Sequence, residues 1–191
     1  FKKLSTEPPK GNDPNSLDLI VWPETSYPRL LSSRLLKKGP SHTPSLFQEI
    51  IEQTRADLFV GGYDRKSLVS RGRYETEYNS AFLFHQNGKF SDVYHKRILI
   101  PFGESLPFGP LNDFLSQYIR NISYFAQGER YTLFETSENI PFTTAICYEI
   151  LFSDYIRDYL NHVDQLPHFI VNLTNDSWYG DTSEPRQHLF L

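Results

Sequence analysis

Asp18-Leu19-Ile20-Val21-Trp22-Pro23 and Asp57-Leu58-Phe59-Val60-Gly61-Gly62 set the architecture of the chain. Each is a short apolar run stopped by a residue that breaks regular structure, the pattern of a buried strand. Between them Leu46, Phe47, Ile50 and Ile51 recur on one helical face to about Arg55. Thr43-Pro44 supplies a cap followed by Pro at the first helical position. Strand, helix, strand is the signature of an α/β fold.

Working outward, Tyr78 to His85 and Phe90 to His95 flank Gln86-Asn87-Gly88-Lys89, and Asn-Gly between two such runs predicts a hairpin. Residues 63–77 read as charged and irregular. Strands are expected at 131–136, 141–147 and 168–173, with a helix from Ser153 to about Asn161. Residues 101–130 carry six of the prolines and glycines that mark loops, with a short helix expected at 111–119, and loops of this length commonly serve function. Residues 1–16, with Pro8, Pro9, Gly11 and Pro14, read as a linker or loop ahead of a single domain at 17–191.

Composition narrows the function. The 191 residues are 39% hydrophobic with a net charge of −4, which disfavours a general nucleic-acid binder. No apolar run approaches the roughly 20 residues of a membrane-spanning helix. One Cys excludes an internal disulfide framework and a Cys-cluster zinc site, and the six His lack metal-ligand spacing, so no metal and no cofactor are expected. Methionine is absent even at position 1, so the chain reads as a piece of something longer or a processed product.

Three polar residues stand at expected strand ends, where α/β sheets gather functional side chains. Glu24 follows Val21-Trp22-Pro23, Lys96 ends the hairpin, and Cys147 follows Thr144-Ala145-Ile146 just before a helix. A Cys on such a turn presents its sulfur outward, with the next backbone N–H as an oxyanion donor. A carboxylate can take the thiol proton, and a Lys can stabilise the resulting oxyanion. Taken singly, a lone Cys is most often a small buried hydrophobe, and Glu24 and Lys96 surface charges. If they act together, their side chains converge in one pocket.

Six ordered blocks carry a resemblance: Val21-Trp22-Pro23-Glu24-Thr25, Tyr94-His95-Lys96-Arg97, Pro101-Phe102-Gly103-Glu104, Ile146-Cys147-Tyr148-Glu149, Asn175-Asp176-Ser177-Trp178-Tyr179-Gly180 and Gln187-His188-Leu189. From about Leu17 to the end, the chain resembles the nitrilase (carbon–nitrogen hydrolase) superfamily, and within it the catalytic domain of the apolipoprotein N-acyltransferases. Soluble amidase relatives usually have Cys-Tyr-Asp followed by Arg, where this chain has Cys147-Tyr148-Glu149, Leu151 and Phe152.

The resemblance implies an α-β-β-α sandwich lacking a strand upstream of Phe1 and closing strands after Leu191. It implies Glu24 as general base, Lys96 as intermediate stabiliser and Cys147 as nucleophile, with Glu104, Tyr148 and Glu149 in support. For Glu149 a structural hydrogen-bonding role is at least as well motivated. The implied reaction moves an acyl chain from a phospholipid, through a Cys thioester, to the N-terminal amine of an apolipoprotein, on the outer, periplasmic face of the bacterial inner membrane. Phe102, Phe108, Phe125, Trp178 and Tyr179 are expected to border the site and exclude water from it. The alternatives are a soluble amidase using the same Glu-Lys-Cys set, and a silent binding domain of this fold.

Overall fold

The computed structural model describes residues 1–7, 17–66, 76–105 and 125–176. Two sheets are stacked. The first runs β1 (Leu19–Trp22), β3 (Asp57–Lys66), β4 (Thr76–Phe84), β5 (Phe90–His95), with β2 (Leu30–Leu31) also on β3. β1 and β2 lie parallel to β3, and β4 and β5 follow antiparallel. The second sheet runs β6 (Phe134–Glu135), β7 (Pro141–Ile146), β8 (Phe169–Leu173), with β7 and β8 parallel. The helices are α1 (Lys2–Thr6), α2 (Ser33–Leu36), α3 (Ser45–Thr54) and α4 (Ser153–His162).

Alternation along β3 and β4 explains the layering, because successive side chains leave opposite faces of a strand. Leu58, Val60, Phe82 and Phe84 enter one core with Phe47, Ile50 and Ile51 of α3. Phe59, Ala81 and Leu83 enter a second core with Phe134, Phe142 and Ile146 of the other sheet. β3 and β4 are therefore buried on both faces over 58–60 and 81–84, and those stretches read as continuous apolar runs for that reason. These are the layers of the nitrilase-like α/β sandwich that the sequence implies.

Several local expectations change. Gly61-Gly62 does not end β3, which continues to Lys66. A Cβ on Gly61 would lie 2.2 Å from the Pro23 carbonyl, so this glycine admits the chain leaving β1 rather than breaking the strand. Residues 2–6, expected as loop, form α1. Phe1 packs on Trp22 at 5.4 Å between ring centroids, and the indole N–H donates to the Ser5 hydroxyl at 2.9 Å, which pins this turn to the core. α3 starts one residue later than expected, with Pro44 at the cap position, because the Thr43 hydroxyl donates to the Gly88 carbonyl of the hairpin turn. The strand at 131–136 shrinks to Phe134–Glu135, since Thr132 instead bonds Val93 and Tyr159. The helix expected at 111–119 lies outside the described residues.

Candidate active site

Glu24 sits just past β1, where Pro23 ends the strand and Thr25 takes a left-handed φ of 50°. The residue is 7% exposed. Oε1 accepts a 2.7 Å hydrogen bond from Asn79 Nδ2, and the main-chain N–H of Asn175 also donates to the carboxylate. Burial pushes the Glu24 carboxyl above the usual carboxylate range, while Lys96 and the Asn79 amide pull back and the Glu104 charge adds to the rise.

Lys96 follows β5 and is only 1% exposed. Its main chain is fixed on both sides, with its N–H on the Asn79 carbonyl and its own carbonyl accepting from Gly128, both at 2.8 Å. Nζ lies 2.9 Å from Glu104 and 3.6 Å from Glu24. Burial by itself lowers an ammonium pKa, but the Glu24 and Glu104 charges more than reverse that, and Lys96 stays protonated with its pKa above the ordinary value.

Glu104 is placed by the turn at 100–105. Its Oε2 accepts from the Ile100 N–H at 3.0 Å, and its own N–H donates to the Ile100 carbonyl at 2.9 Å. The turn thus clasps its own carboxylate and presents it to Lys96.

Cys147 comes from the other sheet. It follows β7 directly and opens a short 3₁₀ turn, Cys147–Leu151, with a left-handed φ of 57°. That conformation is a strained one for a side chain with a Cβ, and such strain is found at functional turns. The sulfur is buried, hydrogen-bonded by the Thr174 side chain and the Tyr148 main-chain N–H, and lies in the field of both Glu24 and Lys96. Burial and the Glu24 charge push the thiol up to about 11, against the pull of Lys96, Thr174 and the Tyr148 N–H. A proton passing from the thiol to Glu24 would remove that opposing charge in the same step.

Glu149 is fully buried and stands behind these groups. Oε1 accepts from the Arg97 and Ile98 N–H groups at 2.7 and 2.9 Å, and Oε2 from Ile146 N–H at 2.7 Å. The Tyr94 hydroxyl donates to the same carboxylate. One side chain thereby ties the residue before Cys147 to the residues after Lys96, which is the structural role the sequence left open.

Of the expected aromatics, Phe125 stacks on Tyr63 at 5.5 Å, and the Tyr63 hydroxyl bonds Thr25 beside Glu24. Phe102 is 62% exposed at the tip of the Glu104 turn with a φ of 64°. Phe108, Trp178 and Tyr179 lie outside the described residues. Sequence reading missed Asn79, which stands in the polar first half of β4 beside Thr76, Glu77 and Ser80. It also missed Thr174 and Asn175, which the strand-end rule applied to β8 would have found. Among the described residues no group of three His, Cys, Asp or Glu is set to hold a metal, and no helix is long and apolar enough to cross a membrane.

The chain is 31% identical over 178 residues to an apolipoprotein N-acyltransferase of Bdellovibrio bacteriovorus, covering 91% of this chain and 31% of that protein. It is 30% identical over 183 residues to one of Rhodopseudomonas palustris, covering 95% and 32%. The chain thus spans about a third of the length of these curated relatives. Among solved structures, a C145A mutant of the Nesterenkonia AN1 amidase from the nitrilase superfamily aligns with a TM-score of 0.48 at 16% identity, covering 90% of this chain and 57% of that one. The Carbon-nitrogen hydrolase family profile matches residues 2–191, and the chain belongs to that family.

Proposed function

We propose that this chain is the catalytic part of an N-acyltransferase that modifies bacterial apolipoproteins. The observation that carries the reading is the cluster itself: a buried Cys147 on a strained turn, in the field of Glu24 and of a Lys96 held between two carboxylates. The similarity to apolipoprotein N-acyltransferases over nine-tenths of the chain selects acyl transfer from among the chemistries such a cluster can run.

Glu24 takes the proton as the Cys147 sulfur attacks the ester carbonyl of a phospholipid. Lys96 and the Tyr148 N–H receive the oxyanion. When the tetrahedral intermediate collapses, Glu24 returns the proton to the departing alkoxide and a lysophospholipid leaves. The second half runs in the same site. Glu24 accepts a proton from the attacking α-amino group of diacylglyceryl-cysteine, an amide forms, and the thiolate departs and is reprotonated. A thioester keeps the acyl group activated between an oxygen and a nitrogen nucleophile. Glu104 holds Lys96 throughout, and Phe102 and Phe125 line the approach. The reaction takes place on the outer face of the inner membrane, with phospholipid as donor and the lipoprotein as acceptor.

Intact-mass spectrometry of the full-length protein with phospholipid and no acceptor tests this. An adduct one acyl chain heavier on Cys147, discharged by a lipopeptide with a free N-terminal amine and absent from Cys147→Ala, is the expected result. No adduct with any phospholipid, together with turnover of a small amide to acid and ammonia, overturns the reading in favour of an amidase.

A further inference from the structure

We propose that Asn79 is a positioning residue: its amide donates to Glu24 and Glu104 at once, fixing the base relative to the lysine's carboxylate and keeping Glu24 in its proton-accepting form. The proposal rests on the reading of Glu24 as the base.

Asn79 is 1% exposed on β4. Its Nδ2 lies 2.7 Å from Glu24 Oε1 and 3.0 Å from Glu104 Oε1. The two hydrogens of one amide nitrogen thus serve two carboxylates that would otherwise repel each other. Lys96 alone does not do this evenly, since its ammonium is in hydrogen-bond contact with Glu104 at 2.9 Å and stands off from Glu24 at 3.6 Å. The closest side-chain donor to Glu24 among the described residues is therefore neutral. A neutral donor that cannot titrate supports an ionised carboxylate without trapping its proton.

The sheet does not need this side chain. Asn79 pairs with Tyr63 on β3, and its carbonyl accepts the Lys96 N–H at 2.8 Å, all through the main chain. The Asn79 Oδ1 has no hydrogen-bond partner among the described residues, so the amide is oriented by its two acidic acceptors and not by a bond on its other side.

The groups that face Glu24 are Lys96 beyond β5, Glu104 from the following turn, Tyr63 from β3, Cys147 from the second sheet, and the Asn175 main-chain N–H. Of these, Lys96 and Asn175 support the charged form together with Asn79, while Glu104 opposes it. Loss of the Asn79 donor removes support from the charged form, so the Glu24 carboxyl moves up and its proton-accepting window narrows from the acid side.

The test reads the site without a substrate. Full-length protein is treated with iodoacetamide across a pH series, and alkylation of Cys147 is followed by peptide mass spectrometry. Asn79→Ala is expected to move the acidic midpoint of alkylation upward by about one pH unit, the scale of one hydrogen bond to a charged group. Asn79→Asp keeps the shape but turns a donor into a third carboxylate, and is expected to move it further. If Asn79→Ala fails to fold, Asn79→Asp carries the test. Rates that fall by one factor at every pH, with the midpoint unmoved in Asn79→Asp, overturn the proposal. Acyl loading is measured in parallel. A midpoint shift in a protein whose parent never loads acyl groups leaves the Asn79 role standing and sinks the transferase reading. Loading with an unmoved midpoint does the reverse.

Discussion

At Lys96 the competition between desolvation and charge is won by charge. A fully buried ammonium is costly unless paired, and two carboxylates, one of them clasped by its own turn, supply the pairing. On the proposed function Glu104 acts through Lys96. Glu104→Gln is expected to leave the fold intact and slow acyl loading of Cys147, and Lys96→Ala placed on top should add little, because residues acting as a unit are non-additive. Rate losses that multiply fully in the double variant contradict this. The Glu24 carboxyl is raised by burial, so its base form is lost as pH falls through a value above the ordinary carboxylate range. The acidic limb of acyl loading is therefore expected above the ordinary carboxylate range. A limb lying within or below that range in a pH–rate profile counts against Glu24 as the base.

At the scale of elements, close backbone approach and a buried carboxylate set where these side chains stand. A Cβ on Gly61 would meet the Pro23 carbonyl at 2.2 Å, and one on Gly128 the His95 carbonyl at 2.1 Å. Those are the residues directly before Glu24 and Lys96. A Cβ on Gly103, beside Glu104, comes no nearer than 3.5 Å to the Ile100 side chain and 3.9 Å to its carbonyl, both ordinary contacts. Gly61→Ala and Gly128→Ala are expected to cost about 1–3 kcal/mol, since backbone must move, and to depress Cys147 acylation beyond any loss of folded protein. Gly103→Ala should do neither, and thermal melts with loading assays on all three separate the cases. Glu149→Gln places an amide N–H₂ among N–H and O–H donors whichever way it is turned, so it is expected to lose about 1–3 kcal/mol or more, read as a lower melting midpoint. Much of this level was legible in the sequence. The strands carrying Glu24, Lys96 and Cys147 announced themselves by apolar runs and by what ended them. Gly61 was read with the wrong sign, because a glycine that breaks a strand and one that admits a neighbouring backbone look alike until the neighbour is known. Asn79 went unread because one polar residue among Thr76, Glu77 and Ser80 signals nothing until both carboxylates are found beside it.

For the molecule as a whole, the site is split between layers. Glu24, Asn79 and Lys96 stand on or just past strands of the first sheet, and Cys147, Thr174 and Asn175 just past strands of the second, so Glu24 and Cys147 are held together by whatever fixes one sheet on the other. That seam is largely aromatic. Phe59 of β3 meets Phe134 and Phe142 of the second sheet edge-on, at 5.0 and 5.2 Å between centroids. Phe47 of α3 is equally buried but packs on Trp22, Tyr27 and Phe84 on the far side of the first sheet. The two residues thus offer the same chemistry at the same burial in different layers. Each Phe→Ala change is expected to cost about 3–5 kcal/mol of stability, from lost transfer energy and the cavity left behind. Their effects on the site should differ. Below both melting midpoints, in the full-length protein, Phe59→Ala lets the sheets settle toward each other and misplaces Cys147 relative to Glu24, so alkylation and acyl loading of Cys147 fall at least tenfold. Phe47→Ala leaves the inter-sheet seam alone, and the folded fraction keeps near-parental rates. Equal rate losses from the two variants, once corrected for folded protein, would mean that the seam does not set the base-to-nucleophile geometry and that each sheet holds its share of the site independently.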